Sequence, residues 1–375
     1  CVSVEMTNAA CNTYVTGMVG YIPMAMSIKN LVNSAAINYK VNGQSTSNCL
    51  PYVSGGCGRT LAAITMDNCT NNGDITVEGT KMTVELDCGG LLACNHTAHG
   101  IFSNLTNNGD ILIKKGDGTC GILYIAGIAG GQLTACTATN HFTNCTNNGD
   151  ITLEEGLSTT GKAGNIRLGG CFAWAKQSYD KNIRNNGDIY IHGKTTGTNT
   201  QLLLGGVYGY NAAAAASDMV GGYINTGDII VTGGTTASST NAFGSAIGGI
   251  VGAFYGNISN AINTGDIKFT GSSNAANSTI GGIVGYSTAA GKIKNCQHYG
   301  NIQAIDMAKG VQYPNVGAIT GSIRVQTTGG GKARTALVEN CQVGGAMLGE
   351  YDTEDEEYKT TTPAASNYLN YIYGS

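Results

Sequence analysis

Apolar and polar residues alternate through one short phrase that returns along most of the chain. In Asp74-Ile75-Thr76-Val77-Glu78 every second side chain is apolar, the period of a strand with one buried face. The phrase follows a corner of the form Asn-x-Gly-Asp-Ile. That corner stands at Asn71 to Ile75, Asn107 to Ile111, Asn147 to Ile151, Asn185 to Ile189, Asn225 to Ile229 and Asn263 to Ile267. Weaker copies run from His298 to Ile302 and from Val343 to Met347, and a degenerate first copy from Asn33 to Ile37. With the Gly as origin, the spacings are 38, 36, 40, 38, 40, 38, 35 and 45 residues. A fixed period of this size predicts stacked supersecondary units. No 3.6-residue period persists, so helical repeats are not expected. The expected fold is all-β: a repeat β-solenoid, parallel β-helix-like, of about nine repeats of 35–45 residues. A β-propeller has a similar unit length, but it needs four strands per blade and only two firm ones are readable.

Aligning the copies exposes three columns. Five positions before the Gly stand Asn30, Asn68, Asn104, Asn144, Asn182, Asn260, Asn295 and Asn340, broken only by Gly222. Four before it stand Leu31, Cys69, Leu105, Cys145, Ile183, Tyr223, Ala261, Cys296 and Cys341. Two before it stand Asn33, Asn71, Asn107, Asn147, Asn185, Asn225 and Asn263, then His298 and Val343. Stacked Asn amides can bond into a ladder, and the first column is the expected structural ladder. The corner pairs Gly73-Asp74, Gly109-Asp110, Gly149-Asp150, Gly187-Asp188, Gly227-Asp228 and Gly265-Asp266 are expected to turn the chain through a positive φ at or beside Gly.

A second block precedes each corner, as in Gly248-Gly249-Ile250-Val251-Gly252 and Gly281-Gly282-Ile283-Val284-Gly285. Followed by Ile293-x-Asn295-Cys296, the stretch Gly281 to Tyr286 resembles the GLUG-type repeats of bacterial surface proteins, including Bacteroidota surface proteins and adhesins. The resemblance spans roughly residues 14 to 349. It implies a β-solenoid and a surface location, and it brings no catalytic residues. The units here are longer, and the Asn-x-Gly-Asp-Ile corner is stronger than in that pattern.

Composition narrows the classes. Charged residues are 12% and the net charge is −4, which gives no electrostatic reason to expect nucleic acid. No apolar stretch is long enough to span a bilayer. Thirteen cysteines suit an oxidising compartment, so an extracellular or cell-surface location is expected. Cys1 fits both an acylated lipoprotein start, hence a lipid anchor, and an ordinary disulfide cysteine. Residues 1–60 are expected to form an irregular N-terminal cap with the degenerate first repeat. Residues 61–349 are expected to form the solenoid, and 350–375 an acidic linker with a Tyr-rich terminal strand. That strand either caps its own last coil or pairs with a neighbouring molecule.

Several residues invite chemistry. Cys69, Cys145, Cys296 and Cys341 share an apolar column and are expected as buried free thiols. Eleven of the thirteen cysteines fall within residues 1 to 171, so disulfides are expected mostly there. Cys94 and His96 in one repeat, with Cys136 and His141 in the next, suit either zinc or a Cys94–Cys136 disulfide, or are plain loop residues. The Asp column is sparse for calcium and is expected to bond its own corner. Sequons stand at Asn95, Asn257 and Asn277, and also at Asn68, Asn104 and Asn144; in a eukaryotic source the first three are the expected glycan acceptors. Carboxylates spread one per repeat supply no convergent catalytic set, and no cofactor is expected. The function expected is a non-catalytic structural or adhesive surface module, with self or cell-surface glycans as partners. The alternatives are an extracellular filament subunit, built by strand addition or end-to-end stacking, and a carbohydrate-binding or carbohydrate-cleaving β-helix.

Overall fold

The computed structural model describes the chain outside residues 7–10, 43–49, 80–84, 96–99, 115–121, 132–139, 155–157, 160–164, 177–179, 193–195, 198–200, 213–218, 233–244, 271–278, 289–290, 306–314, 325–336, 349–350, 353–356, 359–368 and 371–375. Each repeat makes one coil. Between two corners the chain runs through four strands, Ile75–Gly79, Glu85–Gly89, Leu92–Asn95 and Gly100–Asn107. Each lies parallel and in register with its counterpart one repeat on: Ile75 beside Ile111, Leu86 beside Leu123, Leu92 beside Ala129, Phe102 beside Phe142. The coils thus build four long sheets, here called first to fourth in the order a coil visits them, of ten, ten, nine and ten strands. Among the described residues there is no helix, and none long and apolar enough to cross a membrane.

The strand count differs slightly from nine copies because Val2–Met6 pairs with Ile37–Val41, ahead of the first recognisable corner. The stretch expected as an irregular cap supplies the opening strand of every long sheet: Val2–Met6, Thr13–Thr16, Val19–Ile22 and Met26–Lys29. Ladder pairing uses the backbone, so it outlasts the loss of the side-chain motif.

Burial ranks the sheets. Strands of the first and fourth alternate, as Ile75–Gly79 does, whereas Pro51–Ser54 of the second and Leu92–Asn95 of the third are buried throughout. The first and second sheets enclose one core, with Ile75, Val77, Leu86 and Cys88. The third and fourth enclose another, with Leu92, Phe102 and Leu105. Each such side chain, fully buried, stabilises by about 1.5–3 kcal/mol. The second and third sheets join at the Gly-Gly bend and share a third, smaller interior that holds Tyr52, Cys94, Tyr124 and Trp174.

At the far end Leu369–Asn370 pairs with Asn315–Gly317 as the last strand of the second sheet, which is the self-capping course. The acidic run expected as a solvated linker contains an antiparallel pair, Tyr351–Asp352 with Glu357–Tyr358.

Candidate functional site

Two places gather polar side chains: the corner between the fourth and first sheets, and the interior between the second and third. At the corner the inward ladder is not the column expected. Asn33, Asn71, Asn107, Asn147, Asn185, Asn225 and Asn263 are the buried row. Asn107 Nδ2 donates to Asn147 Oδ1 at 2.8 Å and also to the Gly109 carbonyl at 2.8 Å, and the pattern repeats from Asn71 to Asn225. Both amide protons are therefore satisfied, as burial requires. The row ends at His298, whose Nδ1 lies 3.0 Å from Asn263 Nδ2. Burial pushes His298 down to about 4, so its ring is neutral. The Gly-Gly bend packs on the same amides: a Cβ at Gly90 would lie 2.5 Å from Asn107 Cγ. The two sequence blocks travel together because they touch.

The column of Asn30, Asn68, Asn104, Asn144, Asn182, Asn260, Asn295 and Asn340 is exposed, with φ between 51° and 57°. These residues carry the left-handed turn, and Gly222, the one interruption, has φ 73°. The corner glycines have no positive φ. Their constraint is space: a Cβ at Gly149 would lie 2.0 Å from the Gly109 carbonyl oxygen one coil away. Outside, Asn144 Nδ2 donates to Asn104 Oδ1 at 3.2 Å, and Asn148 to Asn108 at 2.8 Å. Each Asp accepts from the next coil rather than from its own corner, as Asp110 Oδ1 does from the Asp150 N–H at 2.8 Å. Burial, and then the Asp carboxylates on either side, raises Asp150 and Asp228.

The remaining expected residues scatter. Cys69, Cys145 and Cys296 are buried and free; Cys341 is half-buried and free, its thiol beside that of Cys296. The disulfide expectation is not met among the described residues: Cys57, Cys88, Cys94 and Cys171 are also buried free thiols packed within the interiors. Cys94 lies beside Arg59 and Gly131 in register. Cys136, His96 and Asn277 lie outside the described residues, as does the side chain of His141, and no metal-holding group occurs among the described ones. Asn95 and Asn257 are buried, so they offer no glycan acceptor; Asn95 accepts from Thr60 Oγ1 at 2.5 Å, and Asn257 from the Lys292 N–H at 3.0 Å.

The interior between the second and third sheets is a wedge, and no motif pointed to it. It is narrow at the Gly-Gly bend, where a Cβ at Gly89 would lie 2.1 Å from the Leu92 carbonyl oxygen. Away from the bend it holds Glu85, Asp87 and Arg167 from the second sheet, and Arg59, Cys94 and Trp174 from the third. The Arg167 guanidinium stacks on Trp174 at 4.2 Å, Tyr210 at 4.7 Å and Tyr124 at 5.3 Å. The aromatic row continues through Tyr255 to Tyr286, ring centres 5.6 and 6.3 Å apart in turn. Arg167 Nε and Nη1 and Trp174 Nε1 are buried with no partner in hydrogen-bond geometry, while Asp87 is hydrogen-bonded to the Glu85 carboxyl and to the Cys94 thiol. Burial, and then the Glu85 carboxylate beside it, holds Asp87 well above the usual carboxylate range. Burial likewise raises Glu85, while the hydrogen bond with Asp87 and then the Arg167 guanidinium draw it down. Burial also pushes the Cys94 thiol far up, so it is not a nucleophile. The signal available in sequence was Glu85-x-Asp87, two acidic residues on one face of a strand in a chain poor in charge.

Compared with known proteins, the chain matches no family model, no curated protein and no solved structure; what is established is a parallel β-solenoid.

Proposed function

We propose that this chain is a non-catalytic extracellular or cell-surface rod, structural or adhesive in use, of the kind the GLUG-type motifs suggest. The observation that carries the reading is the corner. Coil after coil repeats the same hydrogen-bonded arrangement there, Asn147 to Asn185 inside at 2.8 Å and Asp150 to Asp188 outside at 2.8 Å. Such repetition yields length and a regular face, while a catalytic centre needs a unique convergence of groups. Negative-stain imaging of the native source should find rods attached to or released from the cell surface. Compact particles confined to the cell interior would overturn the reading.

A second reading, an end-to-end filament, has its own observation. Among the described residues, five of the eight exposed large apolar side chains, Tyr21, Met24, Met26, Leu31 and Val32, lie on the first coil. A coil of another copy stacked there would cover them and continue the sheets. A Met24→Glu, Met26→Glu double variant should abolish filaments in this case; unchanged filaments would eliminate it.

A further inference from the structure

We infer that Cys296 and Cys341 are a covalent modification site, at which a small-molecule disulfide oxidises the two thiols to a staple between successive coils. The register brings them together. Lys294 lies beside Glu339, and Gln297 beside Gln342, so the two cysteines occupy the same place one coil apart. Each follows an Asn in the left-handed turn, Asn295 at φ 53° and Asn340 at φ 52°. Each sulfur lies near the carbonyl two residues before it, that of Lys294 at 3.2 Å and that of Glu339 at 3.5 Å. The two side chains therefore leave equal backbones in the same direction. Neighbouring strands lie about 4.7–4.9 Å apart, within the Cα separation of about 4.4–6.8 Å that a disulfide spans. The ion pair of Lys294 with Glu339 ties the same two coils beside them.

The fully buried thiols lack this combination of a partner and access. In the same column Cys69 stands beside Leu105, and Cys145 beside Ile183. Across the interior Cys57 lies near Cys69 and Cys171 near Cys145, but all four are sealed from an oxidant in solution. Cys341 is half-buried, with Cys296 buried behind it. Once Cys341 loses its proton, the Cys296 thiol donates to its sulfur, which lowers Cys341 to about 7 and raises Cys296. The reachable member is thus the attacking thiolate, and the buried one resolves. The Cys341 thiolate attacks one sulfur of the small disulfide, whose other half leaves as a thiolate and takes up the proton. Cys296 then loses its proton and attacks the Cys341 sulfur, which expels the second half as a thiol. Two protein thiols are oxidised by two electrons, and one small disulfide is reduced to two thiols. The bond fastens a weak place, because the end of a solenoid is an open edge and Val338, Cys341 and Val343 are only partly buried.

The inference rests on the extracellular reading only for the supply of oxidant. The test is peptide mass mapping of the reduced, folded full chain after incubation with oxidised glutathione at neutral pH. A linked Cys296–Cys341 peptide should form, while Cys57, Cys69, Cys145 and Cys171 stay free. Cys341→Ser should lose the linked peptide. Cys296→Ala, an exchange the same column already shows at Ala261, should hold glutathione on Cys341 as a mixed disulfide. Oxidation should raise the unfolding temperature of the wild type by several degrees, by limiting the unfolded chain, and leave that of Cys341→Ser unchanged. The site is overturned if no linked peptide forms, if glutathione stays on Cys341 in the wild type, or if closure leaves the unfolding temperature unmoved. Surface rods whose pair stays reduced under glutathione overturn the site and spare the extracellular reading. A pair that closes in a chain found only inside cells does the reverse.

Discussion

The corner and the wedge are both polar regions inside a chain that is otherwise apolar within, and they handle polarity in opposite ways. At the corner each buried amide finds its partners one coil away and two residues on, as Asn107 does in Asn147 and Gly109. In the wedge Arg167 and Trp174 keep unsatisfied buried atoms. Translation by one coil explains the contrast. A group that recurs in every coil can bond to its own copy, so stacking satisfies it automatically. A group that occurs once has no copy above or below it. Polar groups are thus inexpensive to bury in a solenoid when they are periodic, and costly when they are unique.

The largest effect should come from the corner glycines. Gly149→Ala places a Cβ against the Gly109 carbonyl, a backbone atom that cannot rotate away. The coils must separate there, at a cost of about 4 kcal/mol or more, read as a large fall in unfolding temperature. Gly205→Ala, which also meets backbone, should behave alike; a mild result at both sites would mean that the coils stack more loosely than the contacts require.

Next comes Asn147→Ala. It strips the acceptor from Asn107 Nδ2 and the donor from Asn185 Oδ1 and the Gly149 carbonyl. Buried groups left unsatisfied cost about 1–3 kcal/mol each, so a loss of roughly 3 kcal/mol is expected in chemical denaturation. A loss as small as that of an exposed Asn would break the distinction between the two Asn columns.

The two regions should also answer pH with opposite slopes. His298 ends the inner row with its pKa lowered to about 4 by burial. Its contribution is complete above the unfolded value near 6.5 and is lost as pH falls from there toward 4, on the order of 3 kcal/mol. His298→Asn should flatten that slope and extend the Asn row. Asp87 is raised, so its contribution is complete below the unfolded value of about 3.9 and is lost as pH rises above it. Asp87→Asn should therefore stabilise the chain at pH 7 and change little near pH 3. Equal slopes in wild type and variant would show that the wedge acids do not titrate apart from the unfolded chain.

The same contrast decided what the sequence could reveal. Everything periodic was legible: the all-β solenoid, the single columns, and the thiols of Cys69, Cys145 and Cys296 at an apolar place. Side-chain direction within a column was less so. Asn104 and Asn107 are both asparagines of one motif, and only the turn at Asn104 throws the first outward and the second inward. Val2–Met6 escaped because a first rung needs backbone and alternation, not the corner motif. The wedge escaped for a stronger reason. Asp87 and Arg167 do share a column, but it reads Tyr52, Asp87, Tyr124, Arg167, Leu203, a sequence in which no two neighbours are alike. Only the packing of the second sheet on the third sets Trp174 and Cys94 against it.

The smallest effect tests what the outer Asn column is for. Asn144 is exposed, with φ 56°; its Nδ2 donates to Asn104 Oδ1 at 3.2 Å, and its Oδ1 accepts from Asn182 at 3.0 Å. Two causes compete for its presence, the ladder and the left-handed turn. Exposed hydrogen bonds exchange with water and contribute little, within about 0.5 kcal/mol for an ordinary surface site. A left-handed φ costs a side chain with a Cβ roughly 1–2 kcal/mol, and Asn less than others because its amide bonds locally. The chain itself has made one exchange at this place, Gly222, which keeps the turn and gives up the amide. Asn144→Gly should therefore stay within about 0.5 kcal/mol of wild type, while Asn144→Ala loses about 1 kcal/mol. Equal losses in the two variants would give the column to the ladder. A loss in Ala alone gives it to the turn, and makes the outer amides free to face a partner.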